Sequence, residues 1–273
     1  NFQKKYTHMK KTITSSAIIA FIALAVAGCK KNNNTPVNNN ELSAAEVSMI
    51  KAAGLQATGA IRINDRYLIE GDILLSADEL RSISSDNGPE VIVANTEQYR
   101  TTALVKRLPR NLKIKYTGSR ASVSMAVTNA VARYNARNLQ LTFQKVTSGT
   151  ADIIVSDVSN QVYIASSGFP SGGNPYNSVK FNTAYANWAG NTLTTVLAHE
   201  IGHCIGFRHT DYMDRSYSCG GLPYNEGSAG IGAIHIPGTP TGPEPNSWML
   251  ACIGNGVNRP FDANDRKALN FLY

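Results

Sequence analysis

The chain is short of charge imbalance, of long apolar runs and of cysteine, and each shortage excludes something. Its formal net charge is +7, but residues 1–31 carry six Lys and no acid. Beyond them the balance is eight basic to ten acidic groups in residues 32–111 and twelve to nine in residues 112–273. That leaves no basic face, and there is no aromatic stacking pattern or recognisable nucleic-acid module, so a nucleic-acid partner is excluded. The mostly apolar run from Ile18 to Ala27 is too short to span a bilayer as a stable helix in its own right. No Cys occurs from residue 30 to residue 203, so a thiol-based switch supplied by the N-terminal region is excluded. What remains, 273 residues of which 42% are hydrophobic, is enough for one or two buried cores.

The apolar run has a different use. Met9 precedes Lys10 and Lys11, and the run ends at Val26-Ala27-Gly28-Cys29. Small residues before a lone Cys resemble a bacterial lipoprotein signal, with Met9 as the start and Cys29 as the lipidated N-terminus of the mature chain. The alternative is an ordinary secretory signal with an incidental Cys. Acyl chains on Cys29 would anchor an exported protein to a membrane, in the periplasm or at the cell surface, and leave its folded part in water. Residues 29–41, rich in Asn, have nothing to bury and form a tether.

Along the rest of the chain, Ser43 to Ala53 and Ser76 to Ser82 are expected helices. Each opens with Ser and has Glu three residues on, the capping-box spacing. Ala60 to Asn64 and Tyr67 to Leu75 are strand-like. The stretch around residues 95–111 is taken as a linker, which divides the chain into a small N-terminal pro-like region, 42–111, and a main domain, 112–273. The main domain opens strand, helix, strand, strand at Leu112–Tyr116, Ser122–Asn138, Leu139–Lys145 and Ala151–Ser156. Val158 to Ala186 is loop-rich, with Gln161 to Ala165 as a possible edge strand. Asn191 to Cys204 is a long helix ended by Gly206, Thr210 to Pro245 is mostly loop, and Asn264 to Leu272 is a terminal helix.

Three of the five His residues fall in one window, His199-Glu200-Ile201-Gly202-His203-Cys204-Ile205-Gly206-Phe207-Arg208-His209. Residues four apart share a helix face, so His199 and His203 can present nitrogens to one ion. Gly206 lets the chain leave the helix sharply and bring His209 back as a third ligand. Three neutral imidazoles suit Zn²⁺ and leave a fourth position open for water, the catalytic arrangement. Glu200 is the general base for the zinc-bound water, which attacks a peptide carbonyl. Cys204, Cys219 and Cys252 allow one internal disulfide; Cys219 with Cys252 is favoured, because both fall on connections and Cys204 lies inside the helix.

This window resembles the extended metzincin signature, and His199-Glu200-Ile201-Gly202-His203 resembles the bacterial dual-action HEIGH metallopeptidases. The resemblance covers about residues 112–273. It implies an α+β, metzincin-like (zincin) catalytic domain, with a twisted mixed sheet over an active-site helix, acting as a zinc metalloendopeptidase on proteins or peptides. It also implies a Met-turn beneath the metal, for which Ser247-Trp248-Met249 is the match; the plain alternative is an ordinary buried Met249. Two residues further on, where astacins place a Tyr near the metal, this chain has Ala251. Ile69-Glu70-Gly71-Asp72-Ile73 resembles the astacin propeptide motif, which implies a zymogen whose Asp72 carboxylate holds the open zinc position; the alternative is a polar turn between two strands. A different class, a non-catalytic cell-surface protein- or metal-binding module on the same scaffold, would have no need of Glu200. Oligomeric state is not legible.

Overall fold

Two reciprocal caps set the first helices. The computed structural model describes residues 41–85, 98–228, 230–240 and 242–273. Contacts divide the chain into Asn1–Val37 and Asn38–Tyr273, and every described residue falls in the second unit. The export segment, Cys29 and the tether through Asn40 lie outside the described residues. Helix α1 (Ala44–Ala52) begins where the Ser43 amide donates to Glu46 Oε2 at 2.7 Å and the Glu46 amide donates back to Ser43 Oγ at 3.3 Å.

Strands β1 (Ile61–Ile63), β2 (Arg66–Ile69) and β3 (Ile73–Ser76) form an antiparallel sheet. The single strand expected over Tyr67–Leu75 is thus two strands. The chain reverses at Glu70 and Gly71, whose φ values of 53° and 86° are left-handed, and a run of strand-forming residues on both sides masks that turn. Helix α2 (Ala77–Ser85) follows behind a second Ser-Glu cap, Ser76 with Glu79.

After β4 (Tyr99–Arg100), the main sheet is built from β5 (Arg110–Tyr116), then, beyond helix α3 (Ala121–Asn135), β6 (Leu141–Val146), β7 (Ile153–Val158), β8 (Ala165–Ser166) and β9 (Ser178–Asn182). Its order is β6-β5-β7-β9-β8, parallel except for the antiparallel edge strand β8. β9 lies in the stretch expected to be loop-rich; its buried Val179 and Phe181 alternate too briefly among polar neighbours to signal a strand. The stretch read as a linker carries fully buried Gln98, Tyr99 and Thr101.

Helix α4 (Gly190–Ile205) is buried along its whole length from Thr192. The α3 face of Val123, Ala126, Val127, Ala130, Val131 and Tyr134 is buried in the same core, and the Tyr134 hydroxyl donates to Ala198 O at 2.8 Å. Short α5 (Ser216–Cys219) and β10 (Ile234–His235), which pairs with β4, break the long loop after α4. Helix α6 (Ala263–Leu272) is capped reciprocally by Asp262 and Asp265. Asp265 also accepts from Ser247 Oγ at 3.0 Å and the Trp248 amide at 3.3 Å, so the terminal helix fixes the turn that carries Met249. The result is the α+β, mixed-sheet architecture expected of a metzincin-like domain. No helix among the described residues is long and apolar enough to cross a membrane.

Candidate active site

Helix α4 places His199 and His203 one turn apart, with their rings buried and their Nε2 atoms 2.9 Å from each other. Each Nδ1 faces a backbone carbonyl, which can only accept: His199 donates to Trp248 O at 2.9 Å and His203 to Phe207 O at 2.8 Å. The Nδ1 proton is therefore fixed, and each Nε2 is left as a lone-pair donor to a metal. Gly206 ends the helix at φ 114°, and a Cβ there would meet Ala103 O at 2.7 Å, so both backbone and packing require glycine. The chain then returns His209, whose Nε2 lies 3.2 Å from that of His203. Its Nδ1 contacts both oxygens of buried Glu226, at 2.8 and 3.0 Å.

Below this cluster, Met249 is fully buried and Gly202 makes room for it: a Cβ on Gly202 would come within 2.6 Å of Met249 Sδ. Trp248 is wedged edge-on between Phe207 and Phe261, with centroids 5.0 Å away in each case, and its indole N–H donates to Ala198 O at 3.3 Å. This packing holds the carbonyl that orients His199. Glu200, next to His199 on the same helix, lines a cavity of about 280 Å³ together with His199, Asp72, Val196, Leu250 and Arg259. Ser167 Oγ donates to Glu200 Oε2 at 2.6 Å. Burial, then the nearby Asp72 carboxylate, raise the Glu200 pKa well above the usual carboxylate range.

Residues 67–273 match the family described as dual-action HEIGH metallo-peptidase. The chain belongs to that family. No curated protein is matched. Among solved structures, one of myroilysin is 16% identical, with 63% of this chain and 96% of that one covered and a TM-score of 0.45. A second myroilysin structure is also 16% identical, covers 63% of this chain and 86% of that one, and has a TM-score of 0.41.

In this metallopeptidase Asp72 joins the three imidazoles. The turn at Glu70-Gly71 puts its Oδ2 3.0 Å from His209 Nε2, 3.4 Å from His199 Nε2 and 4.0 Å from His203 Nε2. The four groups converge with ligand atoms within 4.8 Å of one another. Asp72 Oδ1 is buried with no hydrogen-bond partner. Three imidazole nitrogens and a carboxylate with a spare oxygen form a ligand set that fits a divalent cation. Burial raises the Asp72 pKa, but His209, by charge and hydrogen bond, and a hydrogen bond from His199 outweigh it and hold the group well below its usual value. Burial, with His199 and His209 beside it, keeps His203 neutral.

The Asp72 segment also lies on the sheet edge. The Leu74 amide donates to Ser167 O at 2.7 Å, and the Ser167 amide to Asp72 O at 2.9 Å, just beyond β8. Buried charges fasten it: Arg208 Nη2 donates to Glu70 Oε1 at 2.8 Å, and Arg215 reaches both Glu70 O and Glu226 Oε1. Arg215 also crowds Gly71, where a Cβ would lie 2.6 Å from its Nη2. Cys219 and Cys252 are disulfide-bonded beside the cavity, and Cys204 is a buried free thiol. Sequence reading named neither Ser167 and Glu226 nor the Glu70, Arg208 and Arg215 network. Each is assembled across separate segments and has no spacing signature, although Arg208 stands inside the His window itself.

Proposed function

We propose that the protein is a zinc endopeptidase in which Glu200 is the general base and Asp72 a latency ligand. The observation that carries this reading is the convergence of three Nε2 atoms whose Nδ1 partners all leave them free to bind metal. Zinc bound there would polarise a peptide carbonyl and lower the pKa of its water to about 7. Glu200 takes the proton from the attacking water and returns it to the departing amine, so that one C–N bond breaks and one C–O bond forms. Burial raises its proton affinity above that of a solvent-exposed carboxylate, in the sense a general base needs. Ser167 holds the carboxylate in place.

Endopeptidase action is supported by the backbone of Ser167 at the end of the β8 edge, whose N–H and C=O are now paired with residues 72 to 74. An extended peptide can take the same groups by strand addition. The segment that supplies Asp72 thus competes both for the metal and for the substrate's edge. In this reading residues 42–111 are the pro-like region and 112–273 the catalytic domain. Ile69, Ile73 and Leu75 are buried in the common core, so displacing the segment costs apolar burial. The same proposal puts the enzyme outside the cytoplasm, held to a membrane through acylated Cys29.

The test uses the full chain, with zinc content and hydrolysis of blocked, internally quenched peptides measured side by side. Asp72→Ala is expected to raise hydrolysis above that of uncleaved wild type. Adding Glu200→Gln to it should leave zinc bound while kcat falls by about 10² to 10⁴, the usual contribution of a general base. Unchanged kcat would remove Glu200 from the chemistry. Bound zinc with no hydrolysis by any form would favour the non-catalytic binding module.

A further inference from the structure

Resting on the endopeptidase reading, the cavity beside Glu200 carries information about the substrate. Its walls include Val196 from α4 and Leu250 and Ile253 from the loop after Met249, and two guanidinium groups, Arg215 and Arg259, complete it. Both lie against Cys252: Arg259 Nη1 donates to Cys252 O at 2.8 Å, and Arg215 Nη2 is 3.9 Å from Cys252 Sγ. The disulfide to Cys219 fixes that loop, so the two cations belong to a framed wall rather than to a loose tip.

Neither cation is fully answered by the catalytic domain. Arg259 makes no ion pair among the described residues, and its Nε is buried without a partner. The acid that acts on it electrostatically, Asp211, has its oxygens taken by Ser218 Oγ at 2.5 Å and the Ala251 amide at 3.0 Å. Arg215 pairs with Glu226 at 3.3 Å, but its other acceptor, Glu70 O, belongs to the segment that must leave. The acids lining the cavity are Asp72 and Glu200, and Asp72 leaves with that segment. Once that segment leaves, Glu200 is the one acid among the residues lining the cavity, against two guanidinium groups.

We infer that this cavity takes an acidic side chain of the peptide substrate, its methylenes against Val196, Leu250 and Ile253 and its carboxylate received by Arg259 and Arg215, so that the enzyme cuts next to Asp or Glu. Guanidinium forks match a carboxylate in two parallel hydrogen bonds, and partial burial strengthens them. A purely apolar side chain would fill the walls and leave the same donors without an acceptor, which a site of this kind rejects strongly.

The test is a panel of internally quenched peptides, blocked at both ends so that no terminal carboxylate is present, with Glu, Gln, Leu or Lys at each position. The enzyme is the zinc-loaded full chain carrying Asp72→Ala, assayed before and after limited proteolysis that frees the Glu70–Leu75 segment. Glu at one position beside the cut bond is expected to raise kcat/KM about tenfold or more over Gln, as hydrogen bonds to a charged group do. Arg259→Lys should keep a reduced preference, Arg259→Gln should bring the Glu-to-Gln ratio to about one, and Arg259→Glu should turn the preference toward Lys. Calorimetric binding of a non-hydrolysable Glu and Gln peptide pair should follow the same ratios, independently of turnover. Hydrolysis with equal kcat/KM for Glu and Gln peptides overturns the inference and leaves the endopeptidase reading intact. Hydrolysis of no peptide at all overturns both.

Discussion

At Gly202 the metal-binding helix gives up a side chain so that Met249 can lie beneath the imidazoles, with Sδ only 2.6 Å from where a Cβ would stand. Gly202→Ala should therefore overpack a closed site and cost about 1–3 kcal/mol of stability, read from urea unfolding. Glu226 acts from the other side: it orients His209 through Nδ1 and neutralises Arg208 and Arg215 nearby. Glu226→Gln keeps its shape and removes its charge. Zinc affinity, measured by chelator competition, should fall about 10- to 100-fold, as it does when a partner of a metal-binding histidine is lost. The juxtaposition of His199, His203 and His209 was legible because helical periodicity and one glycine produce it locally. Glu226 and Ser167 were not, since each meets the window only after the chain has folded back on it.

Between β2 and β3, two left-handed residues convert what looks like one strand into a hairpin whose turn delivers Asp72. The ion pair of Arg208 with Glu70 holds that turn, with both side chains buried. Arg208→Ala would leave buried Glu70 without its side-chain partner, with an expected loss of about 3–5 kcal/mol in denaturant unfolding. The Cys219–Cys252 bridge spans a sequence separation of 33 residues. Replacing both cysteines by Ser should cost about 3–4 kcal/mol by the loop-entropy argument, checked by thermal or urea unfolding. At this scale the helices were the readable part, because Ser43-Glu46 and Ser76-Glu79 announce their starts and Gly206 announces an end. β9 and the split at Glu70 were not, since short strands and positive φ at a charged residue leave no periodic trace.

Across the whole molecule, the α+β class was implied by the resemblance that the His199–His209 window carries, but the sharing of one core was not. Ile50, Ile69 and Ile73 belong to the same buried cluster as Leu112, Leu197 and Trp248, segments far apart in the sequence. Metal should couple to that whole structure. Zinc at about a hundred times its dissociation constant is expected to stabilise the fold by about 2.7 kcal/mol, and a chelator to remove that gain, with the midpoint of thermal unfolding as the readout. Four donors from two distant stretches, Asp72 and residues 199–209, meet at this point. The most direct test is anomalous diffraction at the zinc edge from crystals of the zinc-loaded full chain. The account predicts one strong peak among the Nε2 atoms of His199, His203 and His209 with the Asp72 carboxylate on it. A peak elsewhere, or no peak among these side chains, would contradict it.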